Sequence, residues 1–142
     1  MRMEIRRLFP GDDAFVTRIA EDVFDEPVRP DRLAAYLASP DHLMIVALFD
    51  DMIVGQCAAV IHRHPDKVSE LYIDEVGVAP AFQRQGIATR MLDAMFDLGR
   101  EHGCEEAWVG TEAGNVAARA LYEAREEPHG LAEEFVMYVY EL

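Results

Sequence analysis

The chain has 142 residues, which suggests one domain, 1–142, with room for one substantial core. It is 51% hydrophobic and 28% charged, the balance of a globular protein, and it holds no run of eighteen apolar residues, which argues against a membrane partner. With 27 acids against 13 bases the formal charge is −14, which disfavours nucleic acid as a partner and is compatible with a cationic one.

The start, Met1 to Arg7, is not followed by an apolar signal core. It reads as the approach to a first strand, Glu4 to Phe9, and the expectation is a cytoplasmic protein. Pro10-Gly11-Asp12-Asp13 is turn chemistry followed by helix-favouring acids, and Phe15, Ile19 and Val23 lie four apart, as on one face of a first helix. Pro27 and Pro30 break it, and Asp31 can cap a second helix carrying Leu33, Tyr36 and Leu37. His42 to Phe49 is an apolar run read as a buried strand. Asp50-Asp51 is a tight turn, and Met52 to His62 is the hairpin partner.

After a polar loop comes a strand from about Val68 to Val78. Gly77 inside it signals a bulge or a close backbone approach by a ligand. A helix from about Arg84 to Glu101 places Ala88, Met91, Leu92, Met95 and Phe96 on a core-facing stripe, and Gly103 is placed to end it. Glu106 to Gly110 is a short strand, Gly114-Asn115 opens a helix reaching about Glu123, and Phe135 to Tyr140 closes the chain as an aromatic strand. This order predicts a mixed α/β sheet with helices on both faces.

Cys57 and Cys104 are too few and too far apart for a disulfide framework and read as small buried hydrophobes. His62-x-His64 lacks an evident third ligand and reads as part of a loop, so no metal site is expected.

The segment Gln83-Arg84-Gln85-Gly86-Ile87-Ala88 follows a strand and opens a helix, an arrangement whose free N–H groups and dipole favour an anion such as a diphosphate. It lacks the glycine spacing of dinucleotide folds and the Gly-Lys-Ser/Thr ending of a nucleotide P-loop. Gln83-x-x-Gly86-x-Ala88 after Val76-Gly77-Val78 resembles motif A of the Gcn5-related N-acetyltransferase (GNAT) superfamily, and Asn115-x-x-Ala118-x-x-x-Tyr122 resembles its later signature. Ser69 to Ile73 and Arg84 to Thr89 are most similar to the aminoglycoside 3-N-acetyltransferases of type I.

The resemblance implies the GNAT acyl-CoA N-acyltransferase fold, a mostly antiparallel sheet of six to seven strands with about four helices and a β-bulge near Val76-Gly77. It implies acetyl-CoA as co-substrate. The backbones of Val76, Gly77 and Val78 would pair with its pantetheine arm. Gln83, Arg84, Gln85, Gly86, Ile87, Ala88 and Thr89 would hold its diphosphate, and Asn115, Ala118 and Tyr122 would add contacts from the later helix. Gly86 offers no Cβ to obstruct the ligand, and Arg84 adds a fixed cation. Asn115 also suits a helix cap. Tyr122 suits a general acid for the departing thiolate, or a half-buried core position.

An amine acceptor must lose a proton before attacking the thioester. Glu75 is the first candidate for the base, directly or through water, or else positions or attracts the substrate; Asp74 is the other candidate, on the opposite face if the strand is regular, and Val76 N–H is the expected oxyanion donor. Glu21, Asp22, Asp25 and Glu26, with Asp74, suit a small cationic amine, an aminoglycoside or a polyamine, and the first four equally suit an exposed helix end. Glu126-Glu127 stand where the family often has Gly-Phe, so the turn after Tyr122 is built differently. Attack is direct, in a ternary complex. The competing expectations are a protein amino-group acetyltransferase and a non-catalytic acyl-CoA sensor, and a homodimer is compatible with the resemblance.

Overall fold

The computed structural model describes residues 2–125 and 132–142, which fall into two compact units, 1–110 and 111–142. The first unit is one five-stranded sheet in the order β1-β2-β3-β4-β5. Its strands are β1 (Met3–Leu8), β2 (His42–Phe49), β3 (Met52–His62), β4 (Glu70–Val78) and β5 (Glu106–Val109). Neighbours run antiparallel except β4 and β5, which are parallel. Asp50 and Asp51 both take positive φ, 48° and 64°, which makes the β2–β3 turn as tight as its two acids suggested.

β2 is buried along most of its length because both sheet faces are covered. On one face Met44, Val46 and Ala58 pack with Leu33 and Leu37 of α1 (Pro30–Ala38). On the other, α2 (Ile87–Glu101) buries Met91, Leu92, Met95 and Leu98, and its Gly99 lets the helix sit directly against Leu71. Gly103 ends α2 with φ of 82°. Cys57 and Cys104 are free and buried, and burial pushes the Cys57 thiol up to about 12.

Residues 111–142 contain α3 (Val116–Glu123), whose first turn is capped by Asn115: its Oδ1 accepts from Ala118 N at 3.0 Å.

Several expectations need correction. Among the described residues there are five strands and three α-helices, fewer than six to seven strands and four helices. The first helix is replaced by a 3-10 turn, Asp12–Phe15, followed by an irregular stretch. The backbone there bonds to the sheet instead of to itself: Ala20 N donates to Ile53 O and Ile53 N to Arg18 O, each at 2.9 Å. Asp31 lies inside the first turn of α1, while Arg29 occupies the capping position. Phe135 to Tyr140 forms no strand, having no ladder partner among the described residues. Glu126-Glu127 lie outside the described residues, as do Pro128-His129-Gly130, the expected turn after them. No described helix is long and apolar enough to cross a membrane.

Candidate active site

β4 positions the site through two irregularities. Opposite Ala58 and Ala59 the register steps from Glu75 to Ile73, so Asp74 is the extra residue of a β-bulge. The bulge is therefore at Asp74, not at Val76-Gly77. The strand is not regular here, so the condition for Asp74 and Glu75 to face opposite ways is not met: the extra residue absorbs one step, and both residues line one cleft. Gly77 serves a different purpose. A Cβ there would collide with the carbonyl of Val23, so the close approach is made by the chain's own backbone.

The second irregularity is where the β4–β5 ladder stops. It pairs Glu70 to Ile73 with Glu106 to Val109 and goes no further, while β4 runs on to Val78. From Asp74 to Val78 the strand is paired by β3 on one side alone among the described strands. Its other edge therefore presents backbone groups that an extended ligand could pair with.

The loop after β4 turns through Pro80–Phe82, and Gln83 Nε2 ties it down by donating to Val78 O at 3.0 Å. α2 begins at Ile87, later than the expected Arg84, because Arg84 and Gly86 both take left-handed conformations, φ 62° and 78°. No side chain caps the helix, so its first-turn N–H groups have no capping acceptor. A Cβ on Gly86 would meet nothing within 4 Å, so the backbone conformation is what calls for glycine here.

The cleft between α1, the 16–29 segment and β4 has a volume of about 330 Å³. Four carboxylates line it, Asp25, Glu26, Asp74 and Glu75, together with Tyr36 and two arginines, Arg29 and Arg32. Glu21 and Asp22 are exposed and are not among its lining. Burial, then the Asp25 and Asp74 carboxylates, raise the Glu75 carboxyl above the usual range; the Asp25 backbone N–H and the Gln56 amide oppose the shift. Such a group can accept a proton more readily than an exposed carboxylate.

Three neighbours carry more structure than the sequence reading gave them. Tyr36 OH lies 2.8 Å from Leu43 O and 3.1 Å from Ala59 O, bridging β2 and β3, and burial followed by Asp74 holds its phenol far above the ordinary value. Gln56 is the one polar side chain fully buried in the core among the described residues. Its Nε2 donates to Val23 O at 3.3 Å, pinning the segment that carries Asp25. A polar residue inside the apolar run Val54 to Val60 was the signal that could have found it. His64 is not a solvated loop residue: its Nε2 lies 2.8 Å from Glu70 Oε1, with its side chain 15% exposed. No group of three or more His, Cys, Asp or Glu among the described residues could hold a metal.

Asn115 caps α3 and Tyr122 lies within it, seven residues on and so about two turns along, and Tyr122 is half-buried.

The acetyltransferase (GNAT) family profile matches residues 13–126, and the chain belongs to that family. Its α/β fold with a mixed sheet is the one described above. An N-alpha-acetyltransferase of Saccharolobus solfataricus is 26% identical over 140 residues, covering 85% of this chain and 84% of that protein. N-alpha-acetyltransferase 30 of Schizosaccharomyces pombe is 31% identical over 78 residues, covering 55% of this chain; the match spans about half of that relative's length, 52%. Among solved structures, an aminoglycoside acetyltransferase from an uncultured soil metagenomic sample, meta-AAC0020 in complex with sisomicin, superposes with a TM-score of 0.82 at 23% identity, covering 99% of this chain and 96% of that one. AAC(6')-Iy in complex with a CoA-containing bisubstrate analogue gives 0.79 at 19% identity over 100% of both chains. At these identities the structural likeness is one of fold.

Proposed function

We propose that this chain transfers the acetyl group of acetyl-CoA to an amino group of a small cationic acceptor, an aminoglycoside-like compound or a polyamine, by direct attack within a ternary complex. The observation that carries the reading is the join of two features on β4: a backbone edge from Asp74 to Val78 that no described strand pairs and, at its start, Glu75 in an acid-lined cleft. The edge supports a pantetheine arm added as a strand against Val76, Gly77 and Val78. The first turn of α2 with Arg84, Gly86 and Ala88 supports a diphosphate. Asn115 and Tyr122 are assigned to the arm and to the departing thiolate.

In this reading an ammonium group enters the cleft, drawn by Asp25, Glu26 and Asp74. Glu75 takes its proton directly or through water, and the freed amine attacks the thioester carbonyl. Val76 N–H stabilises the tetrahedral oxyanion. Collapse breaks the C–S bond, and Tyr122 protonates the thiolate, releasing CoA and the amide.

A second acceptor class, the amino terminus of a protein, is favoured by the N-alpha-acetyltransferases among the relatives. Thiol release from acetyl-CoA, measured across polyamines, aminoglycosides and short peptides with free amino termini, separates the two. Turnover confined to peptides would replace the small-amine reading. CoA binding without turnover on any amine would favour the sensor alternative.

A further inference from the structure

A second hollow, of about 220 Å³, adjoins the acid-lined cleft and is walled by Val60, Ile61, His62, Tyr72, Asp74 and Trp108. Asp74 is the residue common to both. Tyr72 and Trp108 are register partners across the β4–β5 ladder, and their rings lie 4.3 Å apart at 46°. The His62 ring stands 6.5 Å from that of Trp108. Trp108 is 44% exposed, so its ring is open to a ligand in the hollow.

Three of the six wall residues, His62, Tyr72 and Trp108, carry rings, whose faces are negative in their quadrupole, and the one carboxylate is that of the exposed Asp74. The Asp74 carboxylate has no hydrogen-bond or ion-pair partner among the described residues. The bulge accounts for its place: Asp74 is the extra residue of β4 and lines both hollows. Aromatic faces beside an unneutralised carboxylate complement an organic cation. They offer little to a neutral or anionic group.

We infer that the second hollow is a subsite for a second ammonium group of the acceptor, and that the substrate is therefore an oligoamine. One amino group is presented to Glu75, and another is held over Tyr72 and Trp108 beside Asp74. The inference deepens the small-amine reading above and rests on it. A linear polyamine and an amino sugar share this chemistry.

Trp108 is the sole tryptophan of the chain, so its emission reports occupancy of this hollow without catalysis or acetyl-CoA. The titration is run at neutral pH and constant ionic strength with spermidine, with an aminoglycoside bearing several amino groups, and with butylamine. The expected result is a saturable change with an oligoamine at a concentration about tenfold or more below that needed for butylamine. Asp74→Asn should remove that advantage, and Tyr72→Leu should reduce it. Response to the polyamine or to the aminoglycoside identifies the source of the second cation. Equal responses to oligoamine and butylamine, or an advantage that survives Asp74→Asn, would overturn the subsite. Saturable oligoamine binding without acetyl transfer to any amine would sink the acetyltransferase reading and leave the subsite in place. Transfer to amines with no Trp108 response would do the reverse.

Discussion

Gly77 of β4 faces the backbone carbonyl of Val23 across a gap too small for a Cβ. The same carbonyl accepts the amide of Gln56, which is the cross-strand partner of Gly77. Three groups thus clamp the 16–29 segment to the sheet, and that segment delivers Asp25 and Glu26 to the cleft. Gly77→Ala is expected to push the segment outward and to destabilise the protein by about 1–3 kcal/mol, as overpacking does. Chemical denaturation measures the loss. KM for the amine should rise while KM for acetyl-CoA holds; parental stability would remove the clamp from the account.

Glu75→Gln sets activity against stability. The folded protein holds this carboxyl above its ordinary value, through burial and then through Asp25 and Asp74, whereas the unfolded chain does not. The native state therefore binds the proton more tightly, and the stability contributed by Glu75 improves as pH falls through the raised value and is lost as pH rises above it. At neutral pH the substitution relieves that penalty, so Tm should increase, and the difference from the parent should vanish below the ordinary carboxylate range. kcat/KM should fall by about 10²–10⁴-fold, with loss of the acidic limb of its pH profile. An unchanged limb would exclude Glu75 as the base.

Much of the frame was legible in the sequence, and the failures have physical reasons. β2 and β3 followed from apolar runs around Asp50-Asp51, and α2 from its stripe of Met91, Leu92 and Met95. The spacing of Phe15, Ile19 and Val23 suits a helix, but hydrogen bonds between Arg18 to Ala20 and Ile53 hold that backbone against β3, and these depend on a residue more than thirty positions away. The bulge was misplaced because glycine suggests a bulge, while Gly77 is small for the sake of Val23. Only the register against Ala58 and Ala59 reveals that Asp74 is the extra residue. The cleft acids Asp25 and Glu26 were visible as a cluster with Glu21 and Asp22, yet which of the four face inward depends on the irregular path of the chain. Tyr36 reads in the sequence only as a residue of the second helix; it is half-buried, and the carbonyls its hydroxyl bridges belong to strands distant in sequence.

Gly86→Ala tests the loop before α2 as the CoA cradle. With φ at 78° and open space around the Cβ position, the cost is confined to backbone conformation, about 1–2 kcal/mol for a non-glycine residue. If the loop relaxes to escape that cost, its N–H groups turn away from the diphosphate. Calorimetry should show CoA affinity falling by roughly tenfold or somewhat more, since each 1.4 kcal/mol is one decade. The amine response of Trp108 fluorescence should stay at its parental value. Undiminished CoA affinity would place the diphosphate elsewhere.

Asn115 is assigned two tasks that substitution can separate. Its Oδ1 caps α3 through Ala118 N, and alanine should remove about 1 kcal/mol of helix stability, whereas serine retains a capping oxygen. Asn115→Ser is therefore expected to keep the parental Tm while still weakening CoA, because a shorter side chain that caps cannot also reach the pantetheine arm. If serine restores both quantities, capping is the whole of its contribution.

Tyr122 should act on the chemical step and hardly at all on binding. It lies two turns from Asn115 along α3, so a ligand contacted by one residue is within the field of the other. The phenol oxygen is the only atom that Tyr122→Phe removes, leaving the ring and its packing in place. A proton supplied to the departing thiolate is needed only as the C–S bond breaks, so its loss appears in kcat and not in the dissociation constant of CoA. The expected result is a fall in kcat of about 10²-fold with CoA affinity held within about twofold. A parallel loss of both would assign the hydroxyl to binding, and the thiolate would then leave without a proton from this chain.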